Sequence, residues 1–269
     1  MPYINLHTHS NFSDGVLTPK EVINFAFQKG VHYFSLTDHD TVNGILALSD
    51  SDIKGIKFIK GIEISSCEHD YLHILGYNID IKNKSFLSDI AEYRRRRISR
   101  VVDIIKKLND VGIDIKFEDL EFKESSTVGR PHIADALVKK GYGKTRTEVF
   151  YKYLVEGCHA YVKPRGPRLE EAIKTIKNAG GVAVLAHPST IEGSLNVEEV
   201  IKSGFDGIEA FYPTHTNNKV KKYLGIAAKY NLIVTAGTDF HGPKTDKNIM
   251  DKFEFDLSKL LNIDRIINV

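Results

Sequence analysis

With 269 residues, 42% of them hydrophobic, the chain can bury a full core, as one α/β barrel carrying an insertion or as two small domains. Its 37 Lys and Arg against 35 Asp and Glu leave a formal net charge of +2, which gives no long-range field for nucleic acid or membrane, so any phosphate binding must be local. Cys67 and Cys158 stand far apart, which excludes a zinc-thiolate cluster or a disulfide framework and suits a reducing compartment. With no basic apolar leader and no span-length apolar run, the chain reads as soluble and cytoplasmic.

The first apolar run, Tyr3 to Leu6, passes straight into His7-Thr8-His9, with Asp14 shortly after. Alternate side chains of a strand share a face, so His7 and His9 project together at a spacing that grips one cation, and Asp14 in the following loop can hold a neighbouring ion. A His-x-His pair alone is commonplace, and its meaning depends on what recurs downstream. Thr18 caps a helix running to Lys29, with Gly30 as its stop. A second strand, Tyr33 to Leu36, ends at Thr37-Asp38-His39-Asp40. A third, Lys57 to Lys60, runs into Gly61-Ile62-Glu63, and a fourth, Tyr71 to Gly76, carries His73 inside an apolar segment. This alternation of short apolar runs with helical patterns is the signature of βα units around a mostly parallel sheet.

Between about Asn83 and Arg168 the alternation breaks and the chain becomes helical and highly charged, which reads as an inserted domain, 83–167, between barrel segments 1–82 and 168–269. Its first helix has an apolar stripe at Ile98, Val101, Val102, Ile105 and Leu108, and extending that stripe backwards brings Arg94 onto the buried side. The run Arg94-Arg95-Arg96-Arg97, with Arg100, is most simply a solvated helix face; the alternative is anion binding by Arg94 or Arg97. A second helix begins around Gly129-Arg130-Pro131-His132, where Pro131 suits the first turn and the free amides can face an anion, with Arg130 at that positive end.

Barrel-like alternation resumes with a helix from Leu169 to Asn178 and a strand from Val182 to Ala186 that ends in His187-Pro188. A strand from Ile208 to Tyr212, a helix from about Asn217 to Tyr230 and a strand from Leu232 to Ala236 follow, the last ending in Gly237-Thr238-Asp239-Phe240-His241-Gly242. Seven strands result, without an internal repeat.

His7, His9, His39, Glu63, His187, Asp239 and His241 all lie at or just beyond the carboxyl ends of these strands, the rim on which parallel barrels build their sites. His73 sits a residue or two inside its strand. Any one of them has an ordinary reading as a hydrogen-bonded core or loop residue. With Asp14 they make nine carboxylates and imidazoles on one rim, where unpaired polar groups would cost stability, and divalent cations are the simplest partner that satisfies them all.

Taken together, His7-Thr8-His9, Asp14, Thr37-Asp38-His39, Glu63, His73, Ala186-His187-Pro188 and Thr238-Asp239-Phe240-His241 resemble the PHP family of metal-dependent phosphoesterases, named for polymerase and histidinol phosphatase. The resemblance covers residues 1 to about 80 and 168 to about 245, with all nine usual metal positions filled. Gly129-Arg130-Pro131-His132 within a helical insertion resembles the branch of stand-alone nucleotide phosphoesterases. What this implies is an α/β fold, a distorted (βα)7 TIM-like barrel with the helical insertion as a substrate cap. The implied reaction is hydrolysis of phosphate monoesters on nucleoside 3′,5′-bisphosphates or short 5′-phosphorylated oligonucleotides, with 5′-to-3′ exoribonuclease activity assigned to some members.

Carried over residue by residue, His7, His9, Glu63 and Asp239 would hold a first ion. Glu63 would bridge to a second on His73 and His187, and Asp14, His39 and His241 would take a third. Two or three divalent cations are therefore expected, with Asp14, His39, Glu63 and Asp239 nearest the reaction. Imidazole and carboxylate donors without thiolate suit Mn²⁺, Fe²⁺ or Zn²⁺. Several such ions can lower the pKa of a shared water while drawing charge from phosphoryl oxygens, so the expected nucleophile is a metal-bound hydroxide. No Gly-x-Ser-x-Gly, Walker loop or Cys-His pairing offers a covalent route.

With the scissile phosphate on the metals, Arg130 is left to recognise a second phosphate, assisted by Lys163 or Arg165 of Tyr161-Val162-Lys163-Pro164-Arg165 and by Arg97. His215 matches a recurrent histidine of the branch, with a surface-loop role as the alternative. Asp38 and Asp40 flank a ligand and are expected to orient His39 and its neighbours. The expected partner is a small phosphorylated nucleotide or an oligonucleotide end, not a membrane or stable duplex DNA. Histidinol phosphate is an alternative substrate, and a non-catalytic, metal-stabilised PHP module the competing class.

Overall fold

A computed structural model describes residues 3–53, 55–243, 245, 247–250 and 257–268. Seven strands, β1 (Tyr3–Asn5), β2 (Val31–Leu36), β3 (Lys57–Ser65), β4 (His73–Tyr77), β5 (Val182–Leu185), β6 (Gly207–Phe211) and β7 (Ile233–Ala236), pair in chain order. The ends of the sheet meet: the Leu6 amide donates to the Ala236 carbonyl at 3.0 Å, Asp239 N to His7 O at 2.9 Å and His9 N to Phe240 O at 2.9 Å. These bonds close a barrel.

The α-helices among the described residues are α1 (Pro19–Gln28), α2 (Asn43–Leu46), α3 (Lys84–Asp110), α4 (Arg130–Lys139), α5 (Arg146–Val149), α6 (Leu169–Asn178), α7 (Val197–Ile201), α8 (Asn217–Tyr230) and α9 (Asp264–Ile267). α1 begins as its sequence dictates: Thr18 and Glu21 form a reciprocal capping box, Pro19 takes the first turn, and Gly30 follows at φ +77°.

The sheet is mostly parallel, as expected, with one strand reversed. β4 runs antiparallel to both β3 and β5, with Ser65 opposite His73 and Tyr77 opposite Val182. The connection from Ser65 to His73 is too short for a helical crossover, so the chain must turn back beside β3. His73 is consequently the first residue of its strand, and the amino end of β4 shares a rim with the carboxyl ends of its neighbours. β3 is also longer than expected, and Glu63 lies within it opposite Leu75.

The barrel core runs from Ile4 to Ile266 and includes Phe34, Ile62, Tyr77, Ile176, Ile208 and Phe240. A separate apolar cluster, from Val101 to Ala160, unites the second half of α3 with α4 and the segment after it. α3 belongs to both: Phe86, Ile90 and Tyr93 join the barrel core, while Val101, Ile104, Ile105 and Leu108 join the second. The change of core therefore falls inside the helix rather than at Asn83. Val102, expected in the buried stripe, is 49% exposed, because the stripe follows Val101, Ile104, Ile105 and Leu108. No helix among the described residues is long and apolar enough to cross a membrane.

Candidate metal centre and substrate cleft

Each strand end builds its part of the site by local hydrogen bonding. Thr8 turns away from its histidine neighbours: its Oγ1 donates to Ser35 O at 2.8 Å and its amide to Thr37 Oγ1 at 3.1 Å, which leaves His7 and His9 on the inner face. Asp38 accepts from Ser10 N, Ser10 Oγ and Ser13 Oγ, each at 2.7 Å, and so fixes the loop that delivers Asp14. After β7, Asn5 and Thr238 exchange side-chain and backbone bonds. His241 Nδ1 donates to Asp239 O at 2.7 Å, so its Nε2 faces Asp14 at 3.1 Å. Gly237 is required there, since a Cβ would sit 2.2 Å from His7 Cβ and 2.6 Å from Glu209 Oε1. Asp40, His187 and Asp239 all hold positive φ without being glycine, at 51°, 25° and 53°. Such backbones cost of order 1–3 kcal/mol each and persist where the surroundings impose them.

The side chains converge. Glu63 Oε2 lies 3.3 Å from His7 Nε2, 3.1 Å from His9 Nε2 and 3.0 Å from His39 Nδ1. Its other oxygen lies 2.9 Å from His73 Nδ1 and 3.1 Å from His187 Nε2. Asp239 Oδ1 is 3.2 Å from His9 Nε2 and 3.5 Å from His7 Nε2. Donor atoms fall into three overlapping sets with spacing that suits a cation: His7, His9, Glu63 and Asp239; His9, Asp14, His39 and His241; and His39, Glu63 and His73. His9 thus stands between two sets, and His187 meets the cluster through Glu63.

Despite these short separations, His7 Nε2, His9 Nε2, Asp14 Oδ1, His39 Nδ1, Glu63 Oε2 and Asp239 Oδ1 are buried without a hydrogen-bond partner. Six unsatisfied polar atoms around one point are costly unless an ion takes them, so the residues fit divalent metal. The electrostatics agree. Burial opposes ionisation of Glu63, but His39, His7 and His73 outweigh it and hold its carboxyl well below the usual range. Asp14 and Asp239 are likewise held down against burial, by His241 and His39 and by Lys247 and His7 respectively. Against its own burial, His9 is lifted to about 9 by Asp239 and Glu63. Burial prevails at His39, His73 and His241, which are lowered. Against its burial His7 is raised as well, by Glu209, Glu63 and Asp239, so a cation entering the first set would take the place of the protons that the carboxylates hold on His7 and His9. Carboxylate and imidazole together are a donor set that divalent transition metals prefer.

The sequence carries a glutamate whose role its pattern does not reveal. Glu209, in β6, is fully buried and accepts from His7 Nδ1 at 3.1 Å and from His187 N at 2.8 Å. It sits inside an apolar run and not at a strand end, so only its alternation within Gly207–Phe211 hints that it faces the barrel. Tyr212 donates to Asp239 Oδ2 at 2.9 Å, and Lys247 pairs with the same carboxylate. Asp40 serves Arg97 and not His39: its carboxylate takes Arg97 Nη1 at 2.7 Å and Ser65 N at 3.1 Å.

A cleft of about 250 Å³ opens between this cluster and the helical segment. Asp14, His39, His73, His241 and Lys247 form one side, and Arg97, Arg100, Arg130, Tyr71, Phe150 and Pro164 contribute to the other. The arginine run is therefore not one solvated face. Arg95 and Arg96 pair with Glu92 outside, but Arg97 and Arg100, a turn further on, point inward. Arg94 binds the Glu124 carbonyl and does not line the cleft. Gly129 lets the Arg97 guanidinium pass, since a Cβ would lie 3.0 Å from Arg97 Nη2. Arg130 also lines the cleft, over the Phe150 ring at 5.1 Å.

Lys163 and Arg165 do not line it. Arg165 is held on the outside of α3 by Asp103 and by Ser99 Oγ at 2.6 Å, and Lys163 lines a neighbouring depression with Glu68, Tyr151 and Tyr161. The intervening Pro164 is the residue of this segment that meets the cleft. His215 packs between Tyr212 and Tyr223, with Nδ1 on Ala210 O at 2.9 Å, which makes it a support behind Tyr212 and not a cleft residue.

A closed seven-stranded barrel with imidazoles and carboxylates buried at one rim defines a metal-dependent hydrolase. The chain belongs to the PHP domain family, whose model matches residues 5–191. It is 34% identical over 252 residues to the 3′,5′-nucleoside bisphosphate phosphatase of Chromobacterium violaceum, covering 90% of this chain and 88% of that protein. It is 32% identical over 249 residues to the 5′-3′ exoribonuclease Rnm of Salmonella typhimurium, covering 89% and 85%. Among solved structures, a Bifidobacterium adolescentis protein assigned to the metal-dependent phosphoesterases superposes with a TM-score of 0.87 at 29% identity, over 99% of this chain and 96% of that one.

Proposed function

We propose that this enzyme hydrolyses phosphate monoesters of nucleotides, with nucleoside 3′,5′-bisphosphates or short 5′-phosphorylated oligonucleotides as substrates. The observation that carries the reading is the division of one cleft between an imidazole–carboxylate floor and a wall of Arg97, Arg100 and Arg130. A substrate with two phosphates has a use for both. His7, His9, Glu63 and Asp239 would hold one ion, Glu63 with His73 and His187 a second, and Asp14, His39 and His241, with His9 beside them, a third. Divalent ions such as Mn²⁺, Fe²⁺ or Zn²⁺ supply, when bound, a Lewis acid at the phosphoryl group and a nucleophile at neutral pH. The arginines bind and orient: guanidinium groups make paired charge-assisted hydrogen bonds to phosphate oxygens, and the start of α4 adds partial positive charge.

Chelation is expected to remove turnover, and restoring Mn²⁺ to recover it and raise the melting temperature, because an ion that binds only the folded state stabilises it. Intact turnover in a protein shown by elemental analysis to hold no metal would end the proposal. The substrate is tested with Arg130→Ala. For a nucleoside bisphosphate, kcat/KM is expected to fall by roughly ten- to a hundredfold, the scale of one or two lost charged hydrogen bonds, with a much smaller loss for an aryl phosphate. Equal losses on both substrates in a folded variant would take Arg130 out of the binding site, and a wild-type preference for histidinol phosphate would redirect the substrate.

A further inference from the structure

The arginine wall already holds an anion of its own. Asp70, in the loop from β3 to β4, receives Arg100 Nη2 on Oδ1 at 2.6 Å and Arg130 Nη1 on Oδ2 at 3.1 Å. One carboxylate thus bridges two guanidiniums, and all three side chains are nearly buried, at 9, 13 and 10% exposure. Tyr161 lines the neighbouring depression together with Asp70. The arginines have further anchors of their own. Arg100 donates to Val162 O from Nε at 2.9 Å and from Nη2 at 2.8 Å, Arg130 reaches Leu154 O at 3.5 Å, and the Phe150 ring lies against Arg130. Their positions therefore do not depend on Asp70 alone.

A phosphate arriving at this wall has to take both guanidiniums from Asp70, or share them at the cost of repulsion between two anions at close range. Charge decides the contest. A terminal phosphate monoester is close to a dianion at neutral pH, with a second pKa of about 6, and brings three oxygens. An internal phosphodiester carries one negative charge, no more than the carboxylate, and lacks the high effective concentration of a group tethered to the chain. We propose that Asp70 is a specificity-determining residue, a tethered carboxylate that competes for Arg100 and Arg130 so that a terminal phosphate captures them and an internal phosphodiester does not. This rests on the reading of the arginine wall as the site of the second phosphate, and it narrows the substrate class to nucleotide ends.

The test compares a nucleoside 3′,5′-bisphosphate with the same compound carrying a methyl ester on the phosphate that is not hydrolysed. In the wild-type, metal-loaded enzyme the uncapped compound is expected to win by roughly a hundredfold in kcat/KM, mostly through KM. Its KM should rise more steeply below about pH 6 than that of the capped compound, because both compounds protonate at the scissile phosphate but only the uncapped one also does so at the second. Asp70→Asn, which keeps the shape and removes the charge, is expected to shrink the ratio about tenfold by improving the capped compound. A merely structural role would lower both substrates together and leave the ratio in place. Equal use of both compounds by the wild type overturns the inference without any variant, and so does an unchanged ratio in a folded Asp70→Asn protein. If bisphosphate preference depends on Arg130 but the ratio ignores Asp70, this inference alone fails; if Arg130→Ala leaves that preference intact, the functional reading beneath it fails first.

Discussion

Glu63→Gln is expected to lower phosphoesterase turnover by about a thousandfold or more and to reduce metal content with it. The carboxylate touches five histidines, with Oε2 directed at His7, His9 and His39 and Oε1 at His73 and His187. An amide keeps the shape but replaces one of these acceptors with a donor and removes the negative charge that two ions would share. Lewis-acid stabilisation is worth several kcal/mol, and about 4 kcal/mol is a factor of a thousand. The comparison is His132→Ala. His132 accepts from Gly129 N on Nδ1 at 3.2 Å and meets Ser13 O with Nε2 at 3.0 Å, so it fastens α4 to the loop before Asp14 and holds no position in the cation-spaced sets. That variant is expected to lose stability and retain metal. Elemental analysis decides: metal loss from His132→Ala equal to that from Glu63→Gln would mean the ligand set is wrong.

The second large effect is expected at Glu209. With His7 Nε2 turned to the cluster, Nδ1–H donates to Glu209, whose other oxygen accepts the His187 amide. Glutamine offers one oxygen for two buried donors, so Glu209→Gln turns an NH₂ group toward an N–H and strands it. A buried donor left without an acceptor costs about 1–3 kcal/mol of stability. Loosening a partner that fixes a histidine ligand typically costs ten- to a hundredfold in metal affinity, and here two histidines share the partner, which places the expected loss near the upper figure, about a hundredfold. Titration with Mn²⁺, followed by calorimetry, reads the affinity directly, and chemical denaturation of the metal-free protein reads the stability. Unchanged affinity in the folded variant would show that Glu209 serves packing alone.

The imidazole–carboxylate cluster was legible because residues fit to hold cations leave a record in a linear chain. Imidazoles and carboxylates that would be costly unpaired recur where apolar runs stop, and five such stops carried His7, His9, His39, Glu63, His187, Asp239 and His241 into one rim. The reversal of β4 was legible too, from the few residues between Ser65 and His73, since a parallel crossover needs a dozen or more. With strands expected at Lys57 to Lys60 and Tyr71 to Gly76, the sheet reads as mostly parallel and His73 as lying inside a strand that it begins.

The cleft wall was not legible in the same way. Five arginines lie within seven positions of one helix, and whether each meets solvent or substrate depends on which side of α3 the rest of the insertion covers. Arg97 and Arg100 face inward only because Gly129, Val128 and Val162 arrive from far along the chain to receive them. Lys163 and Arg165 are turned out by contacts equally distant in sequence. Asp70 and Glu209 carry no motif at all, and their meaning lies in the groups brought to them by folding. Strand-end chemistry is local and periodic, so the sequence alone determined which imidazoles and carboxylates gather at the rim; the pairing of charges across the cleft is a long-range contact, and only the tertiary structure decided it.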